Sequence, residues 1–150
     1  MATETILELY KQQQNLNEKH TYFLLAAAGA AIGFAVQKTE GLLLSWWLAP
    51  VGLAILCWGA SFFYGCKHIG ACQAVISLNS DLLEVSRGTH HRQPPPQITQ
   101  AILQDTKTEL DKNVRRSTVA KRAQFRLLIE GAVLFVLWRV LEMVRATYFG

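Results

Sequence analysis

Two long uncharged runs, joined by a short polar turn, constrain this chain more than any other feature. Within residues 21–66 only Lys38 and Glu40 are charged, and both lie in the turn. A helix that crosses a bilayer needs roughly 20 consecutive, mostly apolar residues. The runs at 21–37 and 41–66 approach or exceed that length. The sequence therefore predicts a transmembrane hairpin.

The placement of charge predicts how this hairpin is oriented. The chain has a formal net charge of +4, and most of its Lys and Arg residues follow residue 66. Because positively charged segments remain in the cytoplasm, we expect both ends of the hairpin there and its turn on the other side. Trp46 and Trp47 suit the outer interface, and Tyr22 and Phe23 suit the inner one.

Residues 1–20, ahead of the first run, predict a cytoplasmic N-terminal helix. Thr5 and Glu8 have the spacing of a capping box, which predicts that the helix begins at Thr5. We expect the helix to continue into the first apolar run and to pack against the basic helix described below.

The first apolar run is dense in small residues. Small side chains let helix backbones approach closely inside a membrane, where no hydrophobic force drives helices together. One interpretation is that they pack only on the second run of the same subunit. The other is that one row faces a second copy and supports a homo-oligomer. The candidate interface residues are Ala26, Gly29, Ala30 and Gly33.

Residues 67–126 predict a cytoplasmic helical segment with a proline linker at 93–97. Gly88 should end the first helix, because glycine is the usual residue just past a helix end. The second helix should run from about Ile98 to Arg126, paired with the first as a coiled-coil-like hairpin or packed on copies of itself. His90 and His91 lack nearby Cys, Asp or Glu residues, so no metal site is expected.

Six cations without an intervening acid precede the last apolar stretch. Juxtamembrane cations attract anionic lipid headgroups by about 1 kcal/mol each. Nucleic-acid binding would need interleaved aromatic residues, and Phe125 is the only one, so nucleic acid is the less favoured partner. The candidate headgroup ligands are Lys112, Arg115, Arg116, Lys121, Arg122 and Arg126.

A third apolar stretch occupies residues 127–150 and is interrupted by four charges: Glu130, Arg139, Glu142 and Arg145. In a span beginning at Leu127, Arg139 would lie near the bilayer centre, where a charge costs about 3 kcal/mol on insertion scales. Pairing of Arg139 with Glu142 would reduce that cost. Two interpretations remain open. The stretch is a third span whose charges line a pore or face the bundle, or it is a cytoplasmic or interfacial assembly helix.

The predicted fold class is thus an all-α integral membrane protein, with a transmembrane hairpin, a cytoplasmic helical hairpin and a C-terminal apolar helix as candidate third span. A polar N-terminal helix, a tight two-span hairpin and a charged helical tail resemble, over residues 5–125, the SLATT-type two-transmembrane effectors of bacterial conflict systems. That resemblance implies a bacterial inner-membrane protein that perturbs membranes in anti-phage defence.

The leading functional prediction is a small homo-oligomeric channel or pore-forming effector with a cytoplasmic N-terminus. The alternative is a non-conducting anchor whose helical segment recruits a cytoplasmic protein. Catalysis is not expected, since the sequence has no glycine-rich phosphate loop and no nucleophile–histidine pair at a known spacing. No cofactor is expected either.

Overall fold

Long α-helices make up almost all of the chain. The computed structural model describes residues 2–41, 46–88 and 95–148, and no strand occurs in these ranges. The elements are α1 (Ala2–Thr39), a 3-10 turn (Trp46–Leu48), α2 (Ala49–Arg87) and α3 (Pro96–Tyr148). The prediction of an all-helical chain is confirmed.

The ends of the helices agree with the sequence in part. Gly88 has a φ of 72° and its N–H donates to the carbonyl of Val85 at 3.2 Å, which confirms the predicted end of α2. The capping-box prediction was wrong, because α1 already begins at Ala2 and Thr5 lies inside the helix. Residues 89–94, which hold both linker histidines and the start of the proline linker, lie outside the described residues.

The long helix α3 differs from the sequence prediction at both of its boundaries. It begins at Pro96, a good first helical residue because its missing N–H needs no partner there. It then continues without a break to Tyr148. The sequence had instead predicted two separate segments that met at residue 127. Gly131 is the only glycine within it and no proline follows Pro96, so nothing local ends the helix.

Two compact units make up the chain, and α2 and α3 contribute to both. The first unit comprises Met1–Gly65 and Arg122–Gly150, and is called the apolar unit below. The second comprises Cys66–Lys121, and is called the polar unit. In the polar unit His68 of α2 contacts Ser117 of α3, so these helix segments touch each other, which is one of the two arrangements that the sequence left open.

Each helix of the apolar unit buries a stripe of residues spaced three, four or seven apart. This spacing keeps one side of a helix against its neighbours in left-handed, coiled-coil-like packing. The stripe residues are Thr21, Leu24, Ala28 and Ala35 in α1, Val51, Ala54, Trp58, Ser61 and Gly65 in α2, and Gln124, Gly131 and Trp138 in α3.

Two tryptophans fill the centre of the apolar unit. Trp58 and Trp138 are both buried, and the ring of Phe135 lies between them with centroid distances of 5.8 and 5.5 Å. Ala35 and Ala54 complete the cluster from the neighbouring helices. Large rings of α2 and α3 are therefore accommodated by small residues of α1 and α2.

Two glycines provide the closest approaches between these helices. A Cβ atom at Gly131 would lie 2.5 Å from Nε1 of Trp58. A Cβ atom at Gly65 would lie 2.6 Å from Nε2 of Gln124 and 2.7 Å from Cδ2 of Leu25. A larger residue at position 131 would displace the rigid indole of Trp58, whereas one at position 65 would meet the flexible ends of Gln124 and Leu25.

Two stretches are long and apolar enough to cross a membrane, judged by length and composition. They are Asn15–Thr39 and Trp46–Arg87. Among the described residues, the third apolar stretch does not meet the same measure, because it carries more charged residues than that measure allows.

Replacing Gly131 with alanine should destabilise the apolar unit. The added methyl group would push Trp58 out of its place, and overpacking of this kind typically costs about 1–3 kcal/mol. Gly59→Ala is the matched control, because nothing lies within 4 Å of a Cβ atom there. Unfolding in denaturing detergent, followed by tryptophan fluorescence, should show lower stability for Gly131→Ala only. Equal stability of the two variants would contradict the packing described here.

Candidate functional site

The contact between α2 and α3 in the apolar unit fixes how the third apolar stretch lies. The indole Nε1–H of Trp58 donates to the carbonyl of Leu128 at 3.2 Å, and the Ser61 hydroxyl donates to the carbonyl of Gln124 at 2.8 Å. At the opposite end, the Arg145 guanidinium lies 5.9 Å from the ring centroid of Trp47. Residues 124–145 of α3 therefore run antiparallel to the apolar part of α2 along its length.

The four charges of the third stretch do not share one face of α3. Glu130 and Arg139 are nine residues apart, about 2.5 turns, and so project from opposite sides of the helix. Both are exposed, whereas Glu142 is half-buried and Arg145 covers Trp47. Within the described residues Arg139 and Glu142 form no ion pair, so the predicted pairing is absent.

Glu130 is the deepest of these charges. Its neighbour Gly131 lies against Trp58, which is far from both ends of the apolar part of α2. In the described part of the chain, the Glu130 carboxylate has no hydrogen-bond or ion-pair partner. Arg139 lies less than two turns from Arg145, and hence closer to the Trp47 end than the sequence placed it.

The small residues proposed as an oligomer interface all face outwards. Ala26, Gly29, Ala30 and Gly33 are exposed, and no other side chain lies within 4 Å of a Cβ atom built at either glycine. The inward side of α1 uses a different small row that includes Ala28 and Ala35. The outward row is available to another molecule, and its role as an interface stays a prediction.

Most of the basic cluster is exposed, and its members belong to different units. Arg122 and Arg126 lie in the apolar unit, on either side of Gln124. Lys112 lies in the polar unit and donates to Glu109 at 2.7 Å. That hydrogen bond, together with the Lys112 charge, lowers the pKa of the exposed Glu109 carboxyl. Arg115 and Arg116 are exposed and Lys121 is half-buried.

Sequence reasoning missed the buried polar groups of the apolar unit. Gln124 and Ser61 are fully buried and Thr21 is nearly so. The Thr21 hydroxyl donates to the carbonyl of Asn17 at 2.9 Å, and Ser61 donates to α3 as described. The side-chain amide of Gln124 has no partner. The signal was the spacing of Gln124, four and seven residues before Leu128 and Gly131, which puts it on the same buried stripe.

A second polar cluster lies in the polar unit, just beyond the apolar run that ends at Cys66. His68 is buried, and its Nδ1 lies 3.0 Å from the carbonyl oxygen of Ser117 and 2.9 Å from the Ser117 hydroxyl. Because a carbonyl only accepts, Nδ1 carries the proton in the neutral ring. The Cys72 thiol lies 3.3 Å from the same hydroxyl.

Burial lowers the pKa of His68 below its ordinary value, and the nearby Lys121 charge acts in the same direction. The hydrogen bond with Ser117 opposes them in part. The cluster thus holds a histidine that stays neutral more readily than a free one.

Among residues 2–41, 46–88 and 95–148, no three His, Cys, Asp or Glu side chains are grouped closely enough to hold a metal ion. Comparison with known protein families, with curated proteins and with solved structures finds no match for this chain. The functional argument therefore rests on its own residues.

The stability of the folded chain should fall in mild acid because of His68. The unfolded chain binds a proton at about the ordinary pKa of 6.5, whereas the folded chain binds it only at lower pH. The contribution is therefore complete well above pH 6.5 and is lost as the pH falls towards the folded pKa. Denaturation followed by circular dichroism at pH 8 and pH 5 measures it. His68→Gln should flatten the profile relative to the exposed control His20→Gln, and equal profiles would contradict this assignment.

Proposed function

We propose that this chain is an integral membrane protein with three spans, and that it assembles into a homo-oligomeric channel. The first support is the exposure of its apolar helices. Only 22% and 28% of the two candidate spanning windows are buried inside the chain. The core helix of a water-soluble protein would be mostly buried, and exposed apolar area on this scale is costly in water. A lipid environment removes that cost.

The third span follows from packing rather than from hydropathy. Residues 124–145 lie along the apolar part of α2, from Gln124 against Gly65 to Arg145 over Trp47. If the hairpin crosses a bilayer, the segment beside it occupies the same depth. The charges within it are acceptable because Arg139 and Arg145 lie towards the Trp47 end, where long cationic side chains can reach the headgroups.

Glu130 carries the proposal of a channel. It is exposed and without a partner at the depth of Trp58, where a charge facing lipid costs about 3 kcal/mol on insertion scales. Assembly of several copies with Glu130 turned towards a shared aqueous path avoids this cost. Rings of carboxylates select cations, so the proposed channel conducts cations. The outward row of small residues that contains Gly29 and Gly33 supports close packing between copies.

The cytoplasmic ends of the spans are proposed to lie at Gly65 and Gln124. Arg122 and Arg126 flank that level and are suited to anionic headgroups, which supports the proposal of a cytoplasmic polar unit. Residence in a bacterial inner membrane and a role as an effector in anti-phage defence rest on the resemblance in architecture alone.

A non-conducting anchor is the alternative, and the polar unit supplies the observation that favours it. Ile76 and Leu83 of α2 and Ile102 and Val114 of α3 are large apolar residues that remain exposed there. Such residues could contact a cytoplasmic protein.

A reporter fused after Gly150 should be found on the side of the membrane opposite to the polar unit. Three spans put the two termini on opposite sides, whereas the hairpin alone would leave both on the same side. A fusion after Gly88, in the polar unit, is the matched control. Periplasmic alkaline phosphatase activity for the Gly150 fusion, with none for the Gly88 fusion, is the expected result. Inactive enzyme at both positions would overturn the third span.

Purified protein in planar bilayers should give cation-selective single-channel currents. Glu130→Gln removes the charge with little change in volume, and should lower the preference for cations by several-fold, read from the reversal potential in a salt gradient. Glu109→Gln is the matched control, because that carboxylate is exposed in the polar unit. Absence of current at high protein loading would contradict the channel proposal and favour the non-conducting anchor. A cation preference that is the same in Glu130→Gln and in the wild type would show that Glu130 does not line the conduction path.

A further inference from the structure

The side chain of Gln124 is the one buried group of the described apolar unit whose amide satisfies neither its donor nor its acceptor. The residue is fully buried, and both Nε2 and Oε1 lack a hydrogen-bond partner. A buried amide without partners is among the most unfavourable groups a helical interface can contain. An apolar side chain of similar volume would fill this position without that penalty, so the glutamine weakens the described conformation.

The indole Nε1 of Trp138, nearer the Trp47 end, is also buried without a partner, but it is a single donor, whereas Gln124 leaves both a donor and an acceptor unpaired. In the middle of the contact, the Trp58 N–H has its acceptor at Leu128, and its ring covers Gly131. At the end that contains Gly65, the opposing surface to the Gln124 amide is a bare backbone with Leu25 beside it. Gly65 has no side chain to pair with the Gln124 amide, and α3 is held there by the Ser61 hydroxyl, which donates to the Gln124 carbonyl at 2.8 Å.

Polar surroundings begin immediately beyond this point. Arg122 and Arg126, each two residues from Gln124, are exposed, and so is Cys66, next to Gly65. A small outward movement of the turn of α3 around Gln124 would therefore bring the Gln124 amide into contact with water. The Ser61 hydroxyl, which donates to the Gln124 carbonyl, would be exposed by the same movement.

We propose that the apolar unit has a second conformation, in which the turn of α3 around Gln124 separates from Gly65 and water solvates the Gln124 amide. The described conformation is the closed one, and Gln124 sets the equilibrium between the two. The contact of Trp58 with Gly131 stays in place while the turn of α3 around Gln124 moves. The movement needs only the helix packing described above and does not depend on conduction.

Thiol accessibility in the full-length protein tests this directly. The natural cysteines are first replaced, as Cys57→Ala, Cys66→Ser and Cys72→Ser, and the single reporter Ser61→Cys is introduced. Position 61 is fully buried in the closed conformation. A charged methanethiosulfonate reagent therefore reacts there only when the turn of α3 around Gln124 moves away. The matched reporter is Ala54→Cys, equally buried on the same helix but two turns nearer the Trp47 end.

The reporter at position 61 should react faster than the one at position 54. Adding Gln124→Leu should slow the reaction at position 61 about tenfold or more, since it removes the unpaired amide of the closed state, and should leave position 54 unchanged. Gln124→Met repeats the test if the leucine variant folds poorly. Equal rates at the two positions, or a rate at position 61 that ignores both substitutions, would overturn the proposal. The thiol reaction is measured without recording current. A protein that conducts no ions can therefore still support the second conformation, and a protein that conducts can still contradict it.

Discussion

The placement of Trp58 on Gly131 is the interaction on which the apolar unit depends. The indole N–H reaches the backbone of α3 at Leu128, and the ring occupies space that only a glycine leaves open. This one contact fixes which residues of α3 lie opposite which residues of α2. The position of Glu130 beside the middle of the apolar part of α2 and the position of Arg145 over Trp47 both follow from it.

The polar residues of the apolar unit fall into two groups with different consequences. Ser61 and Thr21 donate to carbonyl oxygens and so add polarity without leaving a buried donor unpaired. Gln124 and Glu130 have no such partners in the described chain, so the proposed movement of α3 rests on Gln124 and the proposed association with other copies rests on Glu130. Proposed motion and proposed assembly thus arise from neighbouring turns of one helix.

Much of the helical arrangement could be predicted from the sequence, because apolar runs and the glycine after α2 are local signals. The continuity of α3 was missed, since the change from charged to apolar composition near Leu127 looked like a boundary although no residue there breaks a helix. The inward side of α1 could not be chosen either. Small residues occur all around that helix, so only contact with Trp58 and its neighbours decides that Ala35 faces inwards and Gly33 outwards.

The buried stripes repeat every seven residues, so their spacing alone does not decide the register of α3 along α2. The two glycines decide it. A slip of α3 by seven residues along α2, about 10 Å, would again place one stripe against the other. It would also move Gly131 away from Trp58 and remove Gln124 from Gly65, so that side chains would meet where backbone now lies. Gly65 and Gly131 therefore determine the register of α3 along α2. The spacing of the buried residues alone would allow several registers of nearly equal quality.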